Sequence, residues 1–142
     1  MTVAAVIQAR MGSTRLPGKV LRPLAGKPVL WHIVHCLRKC ARVDRIAIAT
    51  STRRGDDSIE EFARTYDVNL VRGPEDDVLA RFALAADALD ADVILRVTGD
   101  APLIDPDVAD QLIDALQTAG ADYATYAPAG VAIDEGFSPF SR

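Results

Sequence analysis

The sequence predicts an α/β domain: a mostly parallel sheet with helices on both faces. Short apolar runs of strand length alternate with amphipathic stretches of about a dozen residues, the pattern of βαβ units. The length of 142 residues suits a single domain, expected over 1–142. With 49% hydrophobic and 25% charged residues, the chain can bury a core of ordinary globular size.

Each element follows from a local signal. "TVAAVIQA" (2–9) is uncharged and has no helical stripe, so it reads as a buried strand. A loop over 10–18 follows, and Gly26-Lys27-Pro28 marks a turn. Pro28 suits a first helical position, and Leu30, Ile33, Val34, Leu37 and Ala41 recur at helical spacing, predicting a helix over 28–41. "RIAIATS" (45–51) is the second strand. A helix over 56–67 opens with Asp57 and Glu60 spaced as a capping box. "VNLV" (68–71) predicts a third strand, 75–90 a third helix, and "DVILRV" (92–97) a fourth strand. The polar bend 98–105 leads to a helix with Asp105 as its cap and Pro106 at its first position. "DYATY" (122–126) is a candidate fifth strand; 127–142 has turn residues and no periodicity.

Charge is unevenly placed. Residues 1–43 hold eight of the 16 basic residues and no acid, while the rest of the chain balances to −12 within a net charge of −4. An acid-free start also fits a transit peptide, but serine is scarce there and Pro17, Gly18 and Pro23 would break its amphipathic helix. An electropositive rim facing an anionic ligand is the better reading. A nucleic-acid partner is not expected, given the negative net charge and few aromatics among the basic residues. No run of 18 apolar residues predicts a membrane span. The start lacks the pattern of a secretory signal, and two cysteines four apart give no disulfide framework, so the expected location is a reducing cytoplasm.

Two loops at predicted strand ends carry most of the chemistry, and such ends are where open α/β sheets bind ligands. In "QARMGSTRLPGK" (8–19), Arg10, Arg15 and Lys19 lie within ten residues, beside glycines that let backbone approach a ligand. Guanidinium forks and a lysine point charge suit a polyphosphate, and Gly12 and Ser13 can add backbone N–H donors. The spacing is neither a P-loop nor G-x-G-x-x-G. In "TGDAPLID", Asp100 offers a carboxylate to Mg²⁺, which takes one or two carboxylates plus substrate phosphates; shaping a turn is the alternative. "RGPEDDVLARF" (72–82) reads either as an acid-rich helix start or as a loop over a base or sugar, the latter using Arg72 and Asp77. His32, Cys36 and Cys40 at i, i+4 and i+8, with His35 beside them, do not have structural zinc spacing; Cys40 instead continues an apolar helix face.

Taken together, 7–30, 48–63, 72–82 and "RVTGDAPLIDP" (96–106) resemble the cytidylyltransferase family, the group around acylneuraminate and 3-deoxy-manno-octulosonate cytidylyltransferases. The similarity is greatest to the spore-coat polysaccharide branch and covers residues 3 to about 126. The resemblance implies a Rossmann-like nucleotide-diphospho-sugar transferase fold and transfer of CMP from CTP to a sugar or sugar acid, releasing pyrophosphate. It implies Arg10, Arg15 and Lys19 on the triphosphate and stabilising the leaving pyrophosphate. Ala9, Gly12 and Ser13 would lie against the nucleotide, with Mg²⁺ on Asp100. A second metal-binding acid is expected in the family, and Asp134 stands in a segment that matches only loosely. Family members are longer, their second half supplying the sugar pocket and usually a dimer interface. The chain is therefore expected to be the N-terminal, nucleotide-binding portion of a truncated fold, with homodimerisation left open. Two rival activities are a metal-dependent glycosyltransferase of similar fold and a non-catalytic nucleotide-binding module.

Overall fold

The computed structural model describes residues 1–126. Its centre is a four-stranded parallel sheet of β1 (Val3–Gln8), β4 (Arg45–Ser51), β5 (Asn69–Gly73) and β6 (Val93–Thr98). The numbering leaves room for a two-residue ribbon, β2 (Pro23–Leu24) against β3 (Lys27–Pro28), in the first crossover. Among the described residues four α-helices flank the sheet: α1 (Val29–Leu37), α2 (Asp57–Thr65), α3 (Val78–Ala88) and α4 (Pro106–Ala119).

Strand order is β5-β4-β1-β6. From β1 the chain steps outward in one direction, through α1 to β4 and through α2 to β5. It then crosses back by way of α3 to β6 on the far side of β1. Crossovers of one hand running in opposite directions put their helices on opposite faces. Thus Ala5, Ile7 and Ile48 pack under Leu30, Ile33 and Leu37 of α1, Ile59 and Phe62 of α2 and Ala109 of α4. On the other face Ala4, Val6, Ala47 and Ala49 meet Phe82 and Ala85 of α3 and Leu89 just past its end. Residues 4–7 of β1 have no exposure at all, which explains its uncharged, stripe-free sequence. The strand order reverses between β1 and β6, and the carboxyl ends at such a reversal are where open α/β sheets bind their ligands.

Several boundaries depart from the sequence reading. Pro28 is not the first helical residue: its ψ of 149° is extended, because it pairs with Pro23 in the ribbon. The first helix stops at Leu37 rather than running to 41. Past it, the Ala41 and Arg42 amides donate to Asp110 of α4 at 2.8 and 2.9 Å, an alternative to helical bonding. The third helix is trimmed to 78–88 because Asp77 caps it, its carboxylate accepting from Ala80 N at 2.8 Å. The Asp57/Glu60 capping box does not form: both carboxylates accept from Arg72 Nη1, at 2.9 and 2.7 Å. Nor do 122–126 form a strand: among the described residues none pairs with their backbone, and Tyr126 is exposed. The Asp105 cap, Pro106 start and left-handed Gly120 end of α4 follow the expected pattern.

Candidate functional site

The loop after β1 is folded back on itself. Ala9 N still donates to Ala49 O of β4, so the sheet controls the chain to that point. Two residues on, Met11 becomes the hub: its carbonyl accepts from both Ser13 N and Gly18 N, each at 2.9 Å. Gly18, at φ 68°, turns the chain into a single 3-10 turn over Lys19–Leu21. Val20 in that turn is buried against the core and anchors the loop's far end. Arg10, Gly12 and Arg15 stay exposed on the loop's outer side. Ser13 has its N–H turned inward onto Met11, which withdraws one of the backbone donors expected to face a ligand.

The loop after β6 is drawn tightly against this one. Gly99 N donates to Gln8 O at 2.8 Å, and a Cβ on Gly99 would lie 2.8 Å from that oxygen and 3.2 Å from Ala9 Cβ. A glycine is therefore required for the two strand ends to approach. The next residue, Asp100, forms an ion pair with Lys19 Nζ of the first loop. Hydrogen bonding from Lys19 outweighs partial desolvation and, with Thr98, holds the Asp100 carboxyl below its usual value. Among the described residues no group of three His, Cys, Asp or Glu side chains surrounds a cation. One carboxylate at a strand end instead fits a hard cation whose other ligands are phosphate oxygens and water. Asp134 lies outside the described residues.

The wall opposite comes from residues the sequence did not mark. Glu75 faces Arg10 at 4.0 Å, pairs with Arg53, and lies 4.0 Å from where a Gly12 Cβ would stand. Its backbone is held from beneath by Arg81, a buried guanidinium whose Nη1 donates to Pro74 O and Glu75 O at 2.6 and 2.7 Å. Burial, followed by the charge of Arg10, lowers the Arg81 pKa. Gly73 admits this arginine, since a Cβ there would come within 2.9 Å of Arg81 Cγ. Asp56 is buried too, accepting from Met11 N at 2.7 Å, from Ser51 N at 3.2 Å and from the Ser51 hydroxyl.

Other candidates stand apart. Arg72 lies at the end of β5, two strands from β1, and its donors serve Ser51 O, Arg53 O, Asp57 and Glu60. Asp77 caps α3. Cys40 lies beyond α1, not on it, though it is buried; burial and then Asp110 push its thiol up to about 11, so it stays protonated at neutral pH. His35 stacks on Trp31, and His32 Nε2 bonds with Leu24 O of the ribbon at 2.6 Å. Arg10, Gly12, Ser13, Arg15, Lys19 and Asp100 are thus collected on the loops at the reversal of strand order, while Arg72 and Asp77 serve the helices beside them. Among the described residues no helix is long and apolar enough to cross a membrane.

Comparison with known proteins bears on the family and the fold. A family model described as cytidylyltransferase matches residues 4–136. Over 133 residues the chain is 44% identical to the spore coat polysaccharide biosynthesis protein SpsF of Bacillus subtilis (strain 168), covering 89% of this chain and 55% of that one. The fold matches a cytidylyltransferase from Leptospira borgpetersenii serovar Hardjo-bovis with a TM-score of 0.79 and 36% identity, over 83% of this chain and 50% of that one. It also matches CMP:2-keto-3-deoxy-manno-octonic acid synthetase complexed with CTP, with a TM-score of 0.72 and 27% identity, over 85% and 49% of the two chains. The chain spans about half the length of the curated relatives it matches.

Proposed function

The chain belongs to the cytidylyltransferase family, and on that premise we propose that it forms the nucleotide half of an enzyme transferring CMP from CTP to a sugar or sugar acid. The setting we propose is cytoplasmic synthesis of a surface polysaccharide. The observation that carries this reading is the meeting of Lys19 and Asp100 at the β1–β6 reversal of strand order, where open α/β sheets bind their ligands.

In the reaction a sugar hydroxyl oxygen attacks the α-phosphorus of CTP. The new oxygen–phosphorus bond forms as the bond to the bridging oxygen breaks, the hydroxyl proton goes to solvent, and pyrophosphate leaves. Such a transfer depends on positioning and on stabilising charge that builds on the leaving oxygens. Arg15 and Lys19 stand on the exposed loop to do this for the β- and γ-phosphates. Arg10 joins them by exchanging Glu75 for phosphate. Gly12, with no side chain and its N–H unpartnered among the described residues, lets an oxyanion come close to the backbone. The Ser13 hydroxyl adds a polar group beside it. Asp100 is the residue to hold Mg²⁺, which when bound neutralises phosphate charge and polarises the phosphorus centre. Arg72 and Asp77 support this site through the elements they fix and are not assigned to the nucleotide.

Thermal unfolding of the full chain with CTP, UTP, GTP or ATP, with and without Mg²⁺, tests the reading. Ligand at 100 times its dissociation constant adds about 2.7 kcal/mol, enough to move the midpoint clearly. CTP is expected to give the largest shift, enhanced by Mg²⁺. A larger shift with UTP or GTP, or none with any nucleotide, sinks the proposal. Pyrophosphate release from CTP across a panel of sugar acids then identifies the acceptor.

A further inference from the structure

Asp56 occupies the position before the first residue of α2, where an aspartate ordinarily caps the helix, yet its side chain makes no cap bond. It is 3% exposed and is reached instead by Met11 N–H, 45 residues away in sequence, and by the N–H and hydroxyl of Ser51. Burial alone pushes this carboxyl up, but the bonds from Met11 and Ser51 outweigh it and hold Asp56 below its usual value. Its charge is thus answered chiefly by fixed N–H and O–H donors of Met11 and Ser51, with the Arg81 charge acting at longer range and no salt bridge to it among the described residues. Met11, in turn, is the residue whose carbonyl gathers Ser13 N and Gly18 N. One buried carboxylate therefore holds the N–H of the residue whose own carbonyl, one peptide further on, closes both sides of the loop.

We propose that Asp56 is a positioning residue for the triphosphate loop, fixing the Met11 peptide so that Gly12, Ser13 and the cations beyond them are set before nucleotide arrives. This rests on the cytidylyltransferase reading for its ligand but not for its geometry. Pre-organisation matters because each loop residue ordered only on binding subtracts from affinity. The deviation from ordinary capping then has a reason: the carboxylate is given to the loop and not to its own helix.

The test compares Asp56→Ala and Asp56→Asn with Ile59→Val, a packing variant of a buried α2 residue whose side chain has no polar atom to bond the loop. Amide exchange is measured in the free chain, and CTP affinity by titration in the presence of Mg²⁺. Asp56→Ala is expected to speed exchange at Met11, Ser13 and Gly18 at least tenfold and to weaken CTP by a similar factor. Asp56→Asn, which keeps one oxygen able to accept from Met11 N–H, is expected to recover part of both. Ile59→Val is expected to lower the midpoint while changing loop exchange and CTP affinity less than twofold. Unchanged loop exchange in Asp56→Ala, or equal acceleration in Ile59→Val, overturns the proposal. If wild type binds no nucleotide, the CTP reading fails and the exchange data alone decide the role of Asp56. Should Asp56→Ala not fold, Asp56→Asn against Ile59→Val gives the same comparison.

Discussion

Asp56 and Asp100 are both kept ionised at the carboxyl end of the sheet, by different means. Asp56 relies on neutral donors from Met11 and Ser51, whereas Asp100 relies chiefly on Lys19. In both, the folded-state value lies below the ordinary 3.8. The stability they contribute is therefore present above that pH and is lost as pH falls through the folded value. Asp56→Asn is expected to cost about 1–3 kcal/mol at pH 7, since it leaves a buried donor badly matched. Denaturant unfolding should show that deficit narrowing below pH 3.8 as wild type loses its own carboxylate. A deficit that stays constant down to the acid transition contradicts the assignment. Asp56 was hard to find from sequence because its partners lie at residues 11 and 51, and the adjacent Asp57 offered a plausible capping box. Glu75 and Arg81 were missed similarly: "PEDDVLAR" reads as an acid-rich helix start, and nothing local says that the arginine turns inward. The cations of residues 10–19 and Asp100 were legible because residue type, strand end and loop chemistry coincide.

At the scale of elements, the apolar periodicity that marks strands and helices survives, while boundaries shift wherever a distant side chain claims the backbone. Asp110 claims the amides past α1, and Arg72 claims the carboxylates that the sequence offers as a capping box for α2. Arg72 thereby ties β5, the end of β4 and the start of α2 into one unit. Arg72→Ala is expected to cost about 1–2 kcal/mol, because its bonds are charge-assisted but partly solvated. Its effect on CTP affinity should be under threefold once the chain is folded. A loss of binding larger than the loss of stability would return Arg72 to the nucleotide. Gly99 is the corresponding joint between β1 and β6. Gly99→Ala forces a methyl against the Gln8 carbonyl, with an overpacking cost of about 1–3 kcal/mol. It should also separate Lys19 from Asp100, so the Mg²⁺-dependent part of the CTP-induced midpoint shift is expected to fall more than the Mg²⁺-independent part.

At the largest scale, cations of the basic first third meet acids of the remainder at the carboxyl end of the sheet, as Lys19 with Asp100 and Arg10 with Glu75. The strongly positive N-terminal third predicted a rim facing an anion, but composition could not show how far that rim is already neutralised. Lys19 is answered by Asp100 and Arg10 faces Glu75, while among the described residues nothing pairs with the Arg15 side chain. This has a kinetic consequence. An incoming polyanion first senses the charge that has no local counterion, whereas cations held in pairs act only after their partners are displaced. Arg15 should therefore govern the rate of capture, and Lys19 the lifetime of the captured state. In stopped-flow binding, Arg15→Ala is expected to slow CTP association severalfold and flatten its dependence on ionic strength. Lys19→Ala is expected to leave association nearly unchanged and to speed dissociation at least tenfold. One arginine would then set how often the molecule finds its ligand, and one lysine how long it keeps it.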